Sequence, residues 1–187
     1  MEEELKKALE ILKAGGTILY PTDTVWGIGC DATNSKAVKK VYKIKKRIEE
    51  KSLIVLIDEQ RKLESYLKEV QEVALDLIKS IDKPLTIIYP NAKNLAKNVI
   101  AKDGTVGIRI VKEEFCRQLI KLFDKPIVST SANISGEESP AIFSKVSDKI
   151  INEVDYVVKL HQAEVKQLKP STIIKLDESG EFNVIRN

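Results

Sequence analysis

Histidine is almost missing from this sequence of 187 residues: there is one, His161, and beside it only two cysteines and one tryptophan. A histidine metal site needs more than a single imidazole, and a lone histidine whose polar neighbours are Lys159 and Gln162 argues against a serine–histidine–acid triad. Cys30 and Cys116 stand far apart with no Cys-x-x-Cys spacing, so a structural zinc site lacks ligands and a reducing compartment suits the thiols. Every apolar run falls short of the roughly 20 residues that cross a bilayer. The amino terminus, Met1-Glu2-Glu3-Glu4-Leu5, is acidic where a secretory signal is basic, which points to a soluble, cytoplasmic chain with no membrane partner. The glycine-rich phosphate motifs are absent as well. No GxxxxGK followed by serine or threonine occurs, and Gly27-x-Gly29 lacks the third glycine of a dinucleotide fingerprint.

What is present is an ordinary apolar fraction, 43%, and a charged fraction of 32%, above the usual quarter, on a chain long enough to form one domain over residues 1–187. Net charge is only +3, so basic character has to be local to matter for nucleic acid. Leu5, Ala8, Leu9, Ile11 and Leu12 predict a helix that ends near Ala14, before Gly15-Gly16. Ala37, Val38, Val41, Tyr42 and Ile44 predict a second, capped by Thr33, Asn34 or Ser35, with a basic outer face running from Lys36 to Lys51. Strand-like runs lie at 17–20, 53–57, 84–90, 104–111, 126–128, 154–158, 171–176 and 182–186, with helical stretches at 63–78, 115–122 and 143–151. Such mixing indicates an α/β or α+β fold with a mixed sheet.

Two polar segments interrupt this pattern. Thr17-Ile18-Leu19-Tyr20 breaks at Pro21 into the small and hydroxylated residues Thr22 to Asp31, and Ser129-Thr130-Ser131-Ala132-Asn133-Ile134-Ser135-Gly136 follows another apolar run. Either is a plain turn or, at a strand exit, a ligand loop. Extended geometry sends Ser129, Ser131 and Asn133 to one side, a row of donors and acceptors suited to ribose, phosphate or an amino acid. Lys45 and Arg47, two apart, converge on one ligand only if their helix ends there, and together they offer a mobile point charge and a planar fork for phosphate oxygens. Arg109 is a charge inside a strand; it faces either solvent or a ligand.

Taken in order, Tyr20-Pro21-Thr22-Asp23-Thr24-Val25-Trp26-Gly27, Lys45-Lys46-Arg47, Ser131-Ala132-Asn133-Ile134-Ser135-Gly136 and Pro170-Ser171-Thr172-Ile173 resemble the motifs of the YrdC-like threonylcarbamoyl-AMP synthases over nearly the whole chain. The resemblance implies a twisted, open mixed sheet ringed by helices around a large, positively charged concave cavity, in a short form with a single YrdC-like domain. It implies an L-threonylcarbamoyladenylate synthase, a nucleotidyltransferase acting on L-threonine, bicarbonate and ATP with Mg²⁺ and no structural metal. Transferase-complex proteins would carry the product to transfer RNA. Carried over by position, Thr22 and Arg109 contact threonine, while Lys45, Arg47, Ser131 and Asn133 are catalytic. Those four, with Thr105, Ser139, Ser171 and Arg186, line the ATP side. One departure is Ile48, where the family commonly has proline after the arginine. The adenylation needs positioning and cations, so a single histidine is no obstacle. The competing expectations are a non-catalytic module binding double-stranded or transfer RNA through the basic helix, and a carbamoyl-transfer role like that of the similar domain in hydrogenase-maturation proteins.

Overall fold

The computed structural model describes residues 1–48, 53–164 and 169–187; Glu49, Glu50 and Lys51, at the end of the basic segment, lie outside them. Helix α1 (Glu2–Lys13) opens with Glu2, Glu3 and Glu4 and closes with Lys13, each charge complementing the helix dipole. It stops where the sequence places the stop: Gly15 takes φ 74°, its N–H meets the Leu12 carbonyl, and the Gly16 N–H meets that of Ile11. Strands β1 (Ile18–Tyr20) and β2 (Gly27–Gly29) follow, and then α2 (Ser35–Ile44), capped by Asn34, whose side chain accepts from the Lys36 and Ala37 N–H groups. After β3 (Ile54–Ile57) come α3 (Leu63–Tyr66), α4 (Glu72–Ser80), β4 (Leu85–Tyr89), β5 (Val106–Ile110), α5 (Glu114–Phe123) and β6 (Ile127–Ser131). The chain closes with α6 (Asp148–Glu153), β7 (Tyr156–Val157), β8 (Thr172–Leu176) and β9 (Phe182–Arg186).

The strands form one nine-stranded sheet in the order β7-β1-β2-β6-β3-β5-β4-β8-β9. Pairs β1–β7, β3–β5 and β4–β8 are parallel and the rest antiparallel, the mixed sheet that the alternation of elements implies. Because successive strand residues face opposite ways, one face carries Leu19, Ile28, Val55, Ile87, Ile108 and Leu176, all packed in a single core with Val38 and Val41 of α2 and Ala74 of α4. On the other face Ile18, Tyr20, Leu56 and Ile127 are covered by Leu5 and Leu12 of α1 and by Phe115 and Leu119 of α5.

Five expectations are corrected. The polar segment after Pro21 contains β2, hidden because its two glycines carry no strand signal. A Cβ on Gly29 would stand 2.6 Å from Tyr20 Cε1 and 2.8 Å from the Val128 carbonyl, so the close approach of neighbouring strands admits only hydrogen there. The serine-rich segment begins as the last three residues of β6, whose Thr130 and Ser131 pair with Ile28 and Gly27. The helical stretch at 63–78 is split where Leu67 bridges Ala92, and that at 143–151 is a 3₁₀ turn (Phe143–Lys145) followed by α6. The strand expected at 154–158 shortens to two residues.

Candidate functional site

Beyond β3 the helical cover of the second face stops. There the residues that share the orientation of Leu56, among them Ser129, Gly107, Arg109, Thr86, Ser171 and Ile173, line an open cavity of about 580 Å³, within the range of small-ligand sites. The strand register sets its floor. Leu56 pairs with Arg109, Arg109 with Thr86, Thr86 with Ile173 and Ile173 with Arg186, one rung across five strands. The adjoining rung runs Ser129, Ile54, Gly107, Ile88 and Lys175. A β-bulge between Ile173 and Ile174 brings Arg186, rather than Ile185, into line with the first rung.

The cavity is cationic. Among the described residues, Arg47, Lys102, Arg109, Lys175 and Arg186 line it against a single carboxylate, Asp103, which accepts from the Thr105 N–H and hydroxyl and from Lys175 Nζ at 3.1 Å. Arg109 is 4% exposed and faces this space, which settles its orientation away from solvent. Its Nη2 stands 3.2 Å from Asp23 Oδ1, a charge contact whose angles fall short of a hydrogen bond, and its buried Nε has no hydrogen-bond partner among the described residues. Arg186 donates through Nε and Nη2 to the Ser171 carbonyl at 3.1 and 2.9 Å. Its pKa is lowered, first by burial and then by the positive charge of Arg109, so the two guanidinium groups act across the same space.

Lys45 and Arg47 diverge at the end of α2. The Arg47 N–H bonds the Tyr42 carbonyl and the Lys46 N–H that of Lys43, while Lys46 takes φ 50°: a Schellman ending with lysine where glycine is usual. This turn sends Arg47 to the cavity wall, half-buried, where desolvation lowers its pKa. Lys45 points the other way, 1% exposed, and donates to the carbonyls of Ser131 at 2.6 Å and Asn133 at 2.8 Å. Burial, and then the charge of Arg47, lower its pKa to about 8. The Ser135 N–H returns a bond to the Lys45 carbonyl, and the Asn133 amide donates to the carbonyls of Ile134 and Glu137. Lys45 and Asn133 are therefore the frame behind the wall, and Ser131 is the part of it that reaches the cavity.

Among the other expected site residues, Thr105, Ser139 and Ser171 line the cavity with Ser131 and the three arginines. The Ser171 hydroxyl shares a 2.8 Å hydrogen bond with that of Thr86. Thr22 does not face this space. Its hydroxyl donates to the Val25 carbonyl at 2.8 Å and accepts from the Thr24 N–H, and it borders a second hollow of about 400 Å³ with Trp26 and Lys112, across the loop. His161 borders that hollow too, held between Glu113 and Glu164. Thr86, Lys102, Asp103 and Lys175 were not singled out from sequence. Thr86 could have been, as the one aliphatic hydroxyl in the apolar run Leu85–Tyr89; the other three look like ordinary surface charges.

A family model of Sua5, YciO and YrdC proteins, described as telomere recombination, matches residues 10–187. The chain belongs to the Sua5/YciO/YrdC family. A protein of Methanocaldococcus jannaschii, provisionally named as a threonylcarbamoyl-AMP synthase, is 40% identical over 182 residues, 95% of this chain and 84% of its own. The threonylcarbamoyl-AMP synthase of Psychromonas ingrahamii is 35% identical over 176 residues, 92% of each chain. Sua5 of P. abyssi, solved with L-threonine, superposes with a TM-score of 0.88 at 28% identity over all of this chain and 54% of that one, so this chain spans about half of that Sua5. YciO of E. coli shares the fold, with a TM-score of 0.86 at 24% identity over 100% of this chain and 90% of its own.

Proposed function

We propose that this member of the Sua5/YciO/YrdC family is an L-threonylcarbamoyladenylate synthase. The observation that carries the reading is the half-uncovered sheet face, where Arg109 and Arg186 share one rung of a hydroxyl-lined cavity that holds, among the described residues, five cations and one carboxylate. Two anions belong in such a space, an amino-acid carboxylate and a triphosphate. The names of the relatives and the threonine held by P. abyssi Sua5 support these substrates.

The reaction balances without a histidine. The amine of threonine and bicarbonate give a carbamate and water. A carbamate oxygen then bonds the α-phosphorus of ATP as the bond from that phosphorus to the bridging oxygen breaks and pyrophosphate leaves. Charge builds on both sides of the displaced phosphorus, so placed cations do most of the work. Arg109 takes the threonine carboxylate; Arg47 and Arg186 take phosphate oxygens; Ser131, Ser139, Ser171 and Thr105 supply hydroxyls. Thr22 shapes the threonine side through the loop that it ties together. Lys45 and Asn133 keep the Ser131 strand end in place, and Lys45 adds positive charge behind it. Mg²⁺ would be held by the triphosphate oxygens and would supply charge neutralisation there, while Asp103 is engaged by Thr105 and Lys175.

The product is a mixed anhydride, activated for transfer to the amine of a nucleic-acid base, consistent with delivery to transfer RNA by transferase-complex proteins. Pyrophosphate release by the purified chain tests the reading: it should require threonine, bicarbonate and ATP together. Release independent of threonine would contradict it.

A further inference from the structure

We propose that Asp23 is a positioning residue for threonine: it orients Arg109 so that the guanidinium presents its remaining donors to the amino-acid carboxylate. The inference rests on the reading of Arg109 given above. Asp23 is attached at two points. Its Oδ2 accepts from the Lys112 N–H at 3.0 Å, where β5 passes into α5, and its Oδ1 stands 3.2 Å from Arg109 Nη2. The carboxylate thus joins the loop after β1 to the strand that carries the arginine.

The side chains are 4% exposed for Arg109 and 10% for Asp23. A pair so removed from water gains little stability, because the desolvation of both charges offsets their attraction; what it provides is direction. A guanidinium is a planar fork with five N–H donors, and a carboxylate held beside Nη2 restrains where that fork lies through charge while taking no hydrogen bond from it. Arg109 lines the cavity, and its buried Nε has no hydrogen-bond partner among the described residues, a donor left unsatisfied beside the proposed ligand space. An opposite effect is built into the same geometry. Asp23 is itself an anion beside the proposed carboxylate site, so removing its charge would strengthen the attraction of Arg109 for a carboxylate unless orientation outweighs it.

Asp23→Asn separates the two effects, since its amide oxygen still accepts from the Lys112 N–H while the negative charge facing Arg109 is lost. Calorimetry on the full chain should compare L-threonine, L-threoninamide, which lacks the carboxylate, and ATP. The wild type is expected to prefer threonine to threoninamide. Asp23→Asn should weaken threonine tenfold or more and leave threoninamide and ATP within about twofold, Asp23→Glu should recover part of the loss, and Asp23→Asn added to Arg109→Ala should cost nothing further. Threonine bound as tightly as in the wild type, or more tightly, overturns the inference. So does an equal loss of threoninamide and ATP, which marks a structural role, or a loss additive with Arg109→Ala. A wild type that does not prefer threonine fails at the earlier step, the reading of Arg109 itself, and takes the inference with it.

Discussion

Lys45 is the residue whose chemistry folding alters most among the expected site residues. Its pKa, lowered to about 8 by burial and by Arg47, lies below that of a lysine in the unfolded chain, about 10.4. The unfolded state therefore binds more protons between those values. The cost of burying the charge is present in full below about pH 8 and is relieved as pH rises toward 10.4. Urea unfolding should show wild type gaining on Lys45→Met across that window and running parallel to it from about pH 6 to 8; a constant difference throughout would mean that the ammonium is not held as described. Arg47→Ala should behave otherwise, leaving stability nearly unchanged and lowering pyrophosphate release at least tenfold, or about 1.4 kcal/mol of transition-state stabilisation. Near-normal turnover in that variant would place the phosphates elsewhere. The sequence showed that these two cations belong together, but not that one serves the frame and the other the cavity, because their divergence depends on the left-handed Lys46 between them.

At the scale of elements, that Lys46 ending and Gly107 of the floor make different predictions about stability. Lys46→Gly removes the Cβ that makes φ 50° costly and should stabilise by about 0.5–1 kcal/mol in thermal unfolding, with turnover retained; a loss of stability would contradict the Schellman geometry. Gly107→Val places a branched side chain in a strand, where the nearest atom to the new Cβ, Thr86 Cγ2, is 3.4 Å away, an ordinary contact. The fold should tolerate it while the cavity fills, so threonine and ATP affinity should fall with little change in melting. Most elements were legible because apolar spacing reports burial, as in α1, α2 and α5, and continuous apolar runs report strands such as β3. Strand β2 was not, since its glycines answer to Tyr20 and Val128 from elsewhere in the chain. The polar end of β6 was masked for a similar reason: Ser129 and Ser131 face a cavity, and a strand that looks into a cavity reads like a loop.

For the whole molecule, the site arises from incomplete coverage: α1 and α5 seal one half of a sheet face and leave the other open. No sequence pattern states where helical cover ends, which is why Thr86 and Lys175 escaped notice while the motif residues did not. The outer face of α2 is a separate feature, with Lys36, Lys39, Lys43 and Lys46 exposed and Lys40 bonded to the Gly15 carbonyl. If a short RNA duplex binds there, its affinity should fall as salt rises, and alanine at Lys39, Lys40 and Lys43 should flatten that dependence; no binding, or binding indifferent to salt, would leave these lysines as a solvated face. The central claim, that the uncovered half of the sheet joins threonine and bicarbonate to a nucleotide, is tested most directly by mass spectrometry of the purified chain incubated with threonine, ATP and isotope-labelled bicarbonate. The account predicts threonylcarbamoyl-AMP carrying the label from the wild type and little or none from Gly107→Val. Labelled product from both alike, or from neither, would contradict it.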